Sequence, residues 1–288
     1  MRVYKKNNNL ILENVQDFDL AQTFECGQCF RWEKTENGYI GVAYSRVLRI
    51  IQNGSDVTLC GVSMADWDNI WHNYFDFGRD YSRIKNRLST DDVMKQAIGF
   101  GGGIRILNQE PFECLVSFII SASNNIPRIK KIIDSLCRNF GKPINYENNT
   151  YYTFPSADVI ANLSLSELGV IKAGFRDKYI LNAAKCVKDG MIDLECLKNA
   201  SAEYAKTELL KLSGVGSKVA ECVMLFSLGK SSSFPIDVWI KRIVEHCYFG
   251  SEQTKENISH FAAEKFSDLG GFAQQYLFYW ARENKIGI

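Results

Sequence analysis

The sequence predicts an α+β fold in which a small antiparallel sheet domain at the N-terminus packs on a mainly helical domain. Residues 1–75 are rich in β-branched and aromatic residues and are divided by Asn-Gly pairs, a composition typical of antiparallel strands joined by tight turns. From about residue 80 onwards, apolar residues recur at helical spacing. We therefore expect a sheet domain over residues 1–100 and a helical domain over residues 101–288.

Turn signals divide the predicted sheet. Asn37-Gly38 and Asn53-Gly54 are typical of tight turns, and the residues between them, 39–51, have strand composition. Because apolar and polar residues alternate poorly along these strands, the sequence does not define the register of the sheet.

The predicted helices carry recognisable start signals. Pro111 and Pro127 each suit the first turn of a helix, and Ser164 with Glu167 has the spacing of a capping box. Apolar spacing predicts helices over 111–120, 127–137, 165–173, 178–187, 203–212, 217–228, 237–247 and 271–284, with a loop over 141–156.

A glycine-centred turn joins two of these helices. One helix ends near Leu212, the chain turns at Gly214-Val215-Gly216, and the next helix begins at Ser217. The glycines permit a tight turn and bring backbone N–H groups to the surface, where a helix N-terminus can hold a phosphate. This pattern is typical of a helix-hairpin-helix, which binds the DNA backbone without reading sequence.

Lys218 and Asp237 are candidates for chemistry at this turn. Lys218 lies in the first turn of the second helix, where the helix dipole disfavours a cation. An ordinary lysine is protonated at neutral pH, so a nucleophilic amine needs such a push together with desolvation. Asp237 supplies a carboxylate at the start of a later helix. Taken singly, Lys218 is equally well explained as a solvated lysine. Asp237 taken alone is better explained as a helix N-cap.

The net charge and the hydropathy of the chain limit the classes of protein to which it can belong. The chain has 288 residues and a net charge of +1, which argues against a protein that coats nucleic acid but permits a local binding face. Arg128, Lys130 and Lys131 form the most obvious basic cluster, and a solvated helix face explains them equally well. No apolar run suits a bilayer span and residues 1–9 lack an apolar signal core, so we expect an intracellular protein without membrane association.

The nine cysteines predict reduced thiols rather than disulfides or a cofactor site. Their number is odd and most lie in apolar stretches, as buried thiols in a reducing compartment do. Cys26 and Cys29 form a CxxC, but there is no second such pair and the three histidines are dispersed. An iron–sulfur cluster would need four closely spaced cysteines near the C-terminus, and the sequence has no such group. We expect no metal and no cofactor.

Across nearly its whole length the chain resembles an 8-oxoguanine DNA glycosylase/lyase of the helix-hairpin-helix superfamily. The resemblance rests on four motifs in order: Gly27-Gln28-Cys29-Phe30-Arg31-Trp32, Ser123-Asn124-Asn125-Ile126-Pro127-Arg128, the turn at 212–220 followed by Pro235-Ile236-Asp237-Val238, and Ala273-Gln274-Gln275-Tyr276-Leu277-Phe278. It implies a TBP-like N-terminal sheet and a monomer that acts on double-stranded DNA containing 8-oxoguanine.

The resemblance also implies roles for the candidate catalytic pair. Lys218 would attack the sugar C1′ and expel the base, leaving a Schiff base that can proceed to strand cleavage by β-elimination. Asp237 would stabilise the developing cationic sugar or assist proton movement, and would cap its helix beside a bound phosphate. Gly214, Val215 and Gly216 would bind the DNA backbone.

A pocket for the flipped base follows from the same resemblance. Phe278 and Cys222 would cover the two faces of the base, where aromatic stacking is worth about 1–3 kcal/mol. Gln274 would read its Watson–Crick edge. The backbone carbonyl of Gly27 would accept a hydrogen bond from N7–H, a proton that 8-oxoguanine has and guanine lacks. Ordinary core packing remains an alternative for Cys222 and Phe278.

A second group of residues would act on the opposite strand. By resemblance Asn124 and Asn125 fill the vacated stack, Arg128 and Arg176 contact the orphaned cytosine, and Phe175 is an aromatic wedge. Asn125 could instead cap a helix, and Phe175 could belong to the core.

The chain departs from the animal enzymes of this family at three positions. Ser123 stands where their asparagine run begins, Trp239 where they have histidine, and Ala281 where they carry an aspartate. In the family, the residue at the position of Ser123 contacts the orphaned cytosine. We therefore expect an enzyme that tolerates different bases opposite the lesion.

Three other interpretations remain open from the sequence. The chain could be a helix-hairpin-helix glycosylase for another damaged base, although an alkyl-base enzyme needs no lysine. It could be a non-catalytic module that binds DNA backbone, which Lys218 and Asp237 argue against. A redox or zinc protein built on Cys26 and Cys29 is the third.

Overall fold

A computed structural model describes residues 1–287, and its N-terminal part forms a six-stranded antiparallel sheet. The strands are β1 (Arg2–Lys6), β2 (Asn9–Glu13), β3 (Trp32–Thr35), β4 (Gly38–Ala43), β5 (Arg46–Asn53) and β6 (Asp56–Cys60). Their order in the sheet is β1-β2-β6-β5-β4-β3, with Arg2 opposite Glu13 at one edge and Trp32 opposite Gly41 at the other.

Helices account for most of the remaining chain. They are α1 (Leu20–Glu25), α2 (Met64–Asp66), α3 (His72–Tyr74), α4 (Tyr81–Leu88), α5 (Asp92–Gly101), α6 (Pro111–Ser121), α7 (Ile126–Phe140), α8 (Ala157–Ala161), α9 (Leu165–Leu168), α10 (Asp177–Lys188), α11 (Leu194–Asn199), α12 (Ala202–Leu210), α13 (Ser217–Ser227), α14 (Val238–Val244), α15 (Lys255–Phe266) and α16 (Gly270–Asn284). A π-helical turn, Trp67–Trp71, joins α2 to α3, and another, Glu245–Phe249, extends α14. Short 3₁₀ turns lie at Gly169–Ile171, Gly174–Arg176 and Ser267–Leu269.

This architecture confirms the predicted α+β class, but the loop predicted over 141–156 is wrong. That segment contains a two-stranded hairpin of β7 (Pro143–Tyr146) and β8 (Asn149–Tyr152). Its strands are only four residues long and mostly polar, so the sequence pattern did not separate them from a loop. A Tyr146–Tyr151 edge contact, with ring centroids 6.3 Å apart, stabilises the pair across the strands.

Two clusters of buried apolar side chains divide the molecule. One lies under the sheet and is strongly aromatic, with the Phe24 and Trp32 rings stacked at 4.1 Å. The other fills the helical domain and already includes Tyr81 and Met94. Most side chains therefore change cluster near residue 80, with Cys26 and Phe30 in the helical cluster and Leu107 in the sheet cluster as exceptions. The domain boundary at residue 100 stays a prediction.

The Cys26-to-Cys29 turn connects the two clusters. Cys26 packs into the helical cluster and Cys29 into the sheet cluster, and both are buried free thiols. Burial raises the pKa of Cys26 to about 11. Within residues 1–287 no three His, Cys, Asp or Glu side chains are grouped so that they could hold a metal ion. No described helix combines the length and apolar character needed to cross a membrane.

Glu110 provides a pH-dependent test of the domain junction. Its carboxylate stands before α6 and accepts a hydrogen bond from the Tyr44 N–H at 2.8 Å. Burial, reinforced by the charge of Glu113, raises the pKa of Glu110 to about 7. The native state therefore binds this proton more tightly than the unfolded chain, and the ionised carboxylate destabilises the fold as pH rises from the ordinary carboxyl range through about 7.

Glu110→Gln keeps the acceptor and removes the charge. We expect urea unfolding at pH 8 to show the variant more stable than wild type, with the difference lost at pH 4. An equal difference in unfolding free energy at both pH values would contradict this explanation.

Candidate active site and DNA interface

The turn between α12 and α13 requires glycine at position 214, and the next residue, Val215, holds the turn in place. Gly214 has φ +81°, and a Cβ atom there would overlap the Tyr179 ring. Val215 is buried, and its N–H donates to the Leu212 carbonyl at 3.1 Å. The Val215 N–H is therefore used inside the turn. The N–H groups from Gly216, the N-cap of α13, through the first helical turn lack intrahelical acceptors, and a phosphate contact there stays a prediction.

Lys218 stands half-buried in the first turn of α13. Its Nζ donates to Ser121 Oγ at 3.2 Å and lies 4.9 Å from the centroid of the Phe118 ring. Within residues 1–287 no carboxylate oxygen comes within 4.0 Å of Nζ. The amine is thus positioned by a hydroxyl and an aromatic ring and is not neutralised by a direct ion pair.

Asp237 faces the same region from the start of α14. Its Oδ1 accepts from the Ile240 N–H at 2.9 Å, so it is an N-cap. Burial raises the pKa of Asp237, while the Ile240 N–H and the positive charge of Lys218 act in the opposite direction. The structure therefore brings the predicted amine and carboxylate into electrostatic contact in a partly desolvated site.

The predicted base-pocket residues come from three elements. Gly27 follows α1, Cys222 lies on α13, and Gln274 and Phe278 lie one turn apart on α16. Gly27 has φ +84°, and a Cβ there would lie 3.2 Å from Phe278 Cε1, so only glycine lets the backbone approach the ring this closely.

Two of these pocket side chains have properties suited to a flipped base. Gln274 is 5% exposed, and its Oε1 has no hydrogen-bond partner within the described chain. Burial raises the pKa of Cys222 to about 11, so the side chain is a neutral thiol and presents an apolar face. A buried amide oxygen without a partner is costly unless a ligand supplies a donor.

The loop between α6 and α7 carries the predicted void-filling residues. Asn125 is the N-cap of α7, accepting from the Arg128 N–H at 3.0 Å, and Asn124 donates to the Ile120 carbonyl at 3.1 Å. Ser123 is exposed with φ +49°. The capping alternative for Asn125 is thus realised, and it leaves the exposed face of the loop free for DNA.

Arg176 lies differently from what a direct base contact requires. It is only 5% exposed, and its guanidinium donates to the carbonyls of Ala122, Ser123 and Ala173 at 2.6–3.2 Å. In this arrangement Arg176 holds the loop that bears Ser123. These bonds leave one N–H of Nη1, so a bidentate contact with cytosine would require at least one of them to break. Sequence reasoning missed this because three carbonyl partners cannot be recognised from a motif.

Phe175 and Arg128 are the accessible members of the same group. Phe175 is 60% exposed, with the Arg176 guanidinium 4.4 Å over its ring, so it does not belong to the core. Arg128 is exposed. Burial lowers the pKa of Arg176, and the charge of Arg128 adds to this effect, so the two guanidinium groups lie near each other. Lys130 instead donates to the Trp32 carbonyl at 2.9 Å, so the predicted basic cluster is not one continuous face.

Family matches account for both domains. Residues 10–115 match the N-terminal domain of 8-oxoguanine DNA glycosylases, and residues 116–268 match HhH-GPD superfamily base excision DNA repair proteins. The chain belongs to the HhH-GPD superfamily. The resemblance inferred from the four motifs is thereby confirmed.

Solved relatives superpose on this HhH-GPD protein over its full length. A structure of MBOgg1 with a low affinity DNA ligand is 48% identical, with a TM-score of 0.97 and 99% of each chain covered. An 8-oxoguanine glycosylase/lyase from Clostridium acetobutylicum, in complex with double-stranded DNA containing cytosine opposite 8-oxoG, is 43% identical with the same TM-score and coverage.

A relative compared by sequence alone agrees with these structures. A probable N-glycosylase/DNA lyase from Methanothermobacter thermautotrophicus is 30% identical over 68% of this chain and 69% of its own.

Proposed function

We propose that this protein is a bifunctional base-excision-repair enzyme that removes 8-oxoguanine from duplex DNA and cleaves the resulting abasic strand as a lyase. The observation that carries the proposal is the placement of Lys218 and Asp237 together, behind a phosphate-binding turn and beside a pocket lined by Cys222 and Phe278. The similarity to an 8-oxoguanine glycosylase/lyase over the whole chain supports it.

The base must leave the helix before chemistry can occur. Extraction costs a few kcal/mol, which stacking against Phe278 and the filling of the vacated space by Asn124 and Phe175 would offset. One chain carries all of these residues, so we propose that the protein acts as a monomer on double-stranded DNA in the compartment that holds the genome.

Lys218 and Asp237 would then divide the chemistry. The unprotonated Nζ of Lys218 attacks C1′, the N9–C1′ bond breaks, and its electron pair leaves with the base, which takes up a proton. The negative charge of Asp237 stabilises the cationic sugar as the bond breaks. Opening of the sugar ring gives a Schiff base, and loss of a C2′ proton then expels the 3′ phosphate by β-elimination.

Discrimination between lesion and guanine would rest on the Gly27 carbonyl. With 8-oxoguanine, N7–H donates to this oxygen, whereas guanine presents an acceptor to an acceptor. Leaving both unpaired costs about 1–3 kcal/mol, or roughly 5- to 150-fold in rate. The unpartnered Gln274 Oε1 is available for a donor on the Watson–Crick edge.

Opposite-base preference should be weak. Ser123 replaces a longer amide, and the Arg176 guanidinium is already bonded to backbone, so Arg128 is the remaining arginine free to contact the orphaned base. We expect excision rates of 8-oxoguanine opposite C, T, G and A to differ by no more than about 150-fold, because one bidentate contact is worth only about 1–3 kcal/mol. A preference for C well above that in single-turnover assays would contradict this explanation.

The proposed activity is tested by analysing both products of one reaction. Duplexes carrying 8-oxoguanine, guanine or 3-methyladenine opposite cytosine or thymine are incubated with excess protein, and free bases and strand fragments are quantified. We expect free 8-oxoguanine and a β-elimination fragment from the first duplex only. Release of 3-methyladenine without 8-oxoguanine would overturn the lesion assignment.

A further inference from the structure

Two side chains of α16 fasten the turn that carries Gly27. Gln275 Nε2 donates to the Cys26 carbonyl at 2.8 Å, and Arg282 Nη2 donates to the Glu25 carbonyl at 2.6 Å. These contacts join residues 249 and 257 positions apart in the chain. Both carbonyls that precede Gly27 are therefore held by the helix that also carries Gln274 and Phe278.

Gln275 forms the buried half of this attachment. It is 2% exposed and stands next to Gln274, so its amide points to the turn from the same part of α16 that presents the base-reading residue. Because a buried amide donor is costly without an acceptor, the Cys26 carbonyl and the Gln275 amide fix each other's position.

Arg282 forms the other half and also contacts the stacking aromatic. Its guanidinium carbon lies 5.3 Å from the Phe278 ring centroid, and Nη1 would lie 3.4 Å from a Cβ on Gly27. Glu283 holds the same guanidinium at 2.8 Å. Nη1 is buried without a hydrogen-bond partner in the described chain and is near the ring of Phe278, whose π face attracts a cation.

The hydrogen bonds from α16 leave the Gly27 carbonyl of this turn without a donor in the described part of the chain. The carbonyls of Glu25 and Cys26 accept from α16, whereas no N–H of residues 1–287 donates to the Gly27 carbonyl. A hydrogen bond to that oxygen needs a donor–acceptor distance near 2.9 Å, so a small shift of the turn relative to Phe278 would weaken it strongly.

We propose that Gln275 and Arg282 are positioning residues that set the Gly27 carbonyl against Gln274 and Phe278, and that they thereby determine how well 8-oxoguanine is distinguished from guanine. This inference rests on the proposed function. Neither side chain needs to touch the base, since both act through the backbone of the turn.

The test separates base recognition from strand chemistry. Gln275→Met and Arg282→Met are compared with wild type for single-turnover excision of 8-oxoguanine and for β-elimination at a preformed abasic site, which needs Lys218 but no base pocket. We expect excision to fall about tenfold to a hundredfold, as misplacements near 1 Å do, with abasic-site cleavage within about twofold of wild type. Selectivity for 8-oxoguanine over guanine should fall as well.

Two further variants complete the design. Arg282→Lys keeps a donor for the Glu25 carbonyl and should recover part of the excision rate. Lys230→Met is the matched control, because Lys230 also donates from a long cationic side chain to backbone carbonyls, those of Lys198 and Ala200. It should leave both rates unchanged.

The outcomes distinguish this inference from the proposed function. Wild type that releases no 8-oxoguanine would refute the function itself. With active wild type, unchanged excision in both methionine variants, or an equal fall in excision and abasic-site cleavage, would overturn the positioning role.

Discussion

Lys218→Gln should lose both base excision and strand cleavage, each by at least about 10³-fold, because removing a covalent nucleophile removes the reaction path for both. Glutamine retains a donor for Ser121 Oγ and similar bulk, so the fold and the DNA-binding turn should persist. Single-turnover rates on a duplex with 8-oxoguanine opposite cytosine, measured alongside duplex affinity, test this.

The matched control is a lysine that is exposed and distant from the site. Lys95 pairs with Asp92 on α5 at 3.2 Å, and Lys95→Gln should behave as wild type. Strand cleavage retained by Lys218→Gln would show that another amine forms the covalent intermediate.

Asp237→Asn should reduce excision by about 10²- to 10⁴-fold while stabilising the fold at neutral pH. Asparagine caps helices as well as aspartate does, so the bond from the Ile240 N–H is kept. What is lost is the negative charge, which the proposed mechanism uses to stabilise the cationic sugar.

The gain in stability has a defined pH window. Burial raises the pKa of Asp237 in the native state, so the ionised carboxylate is destabilising at every pH above that value. Urea unfolding at pH 7 should therefore show Asp237→Asn more stable than wild type, and the difference should shrink as pH falls towards the ordinary aspartate value of about 3.9. A variant less stable at pH 7 would contradict the raised pKa of Asp237, and a fully active variant would contradict its role in excision.

Features with short-range causes were predictable from the sequence. The capping box of Ser164 and Glu167 forms as expected, and Pro111 opens α6. The glycine turn before Lys218 is local too, because Gly214 adopts a positive φ that glycine favours.

Features that depend on distant partners were not predictable. The burial of Val215 and the three carbonyls around Arg176 arise from packing between elements far apart in sequence. The CxxC illustrates the same limit, since its spacing left a metal or redox site open as an alternative. In the structure Cys26 and Cys29 enter different hydrophobic clusters, while the glycine between them approaches Phe278.

Borohydride trapping tests the central claim most directly. Wild-type protein is incubated with a duplex carrying 8-oxoguanine opposite cytosine in the presence of borohydride, and any covalent protein–DNA adduct is digested and its attachment site identified. We predict a stable adduct at Lys218. Release of 8-oxoguanine without any adduct would contradict a lysine nucleophile and indicate a hydrolytic glycosylase in which Asp237 activates water.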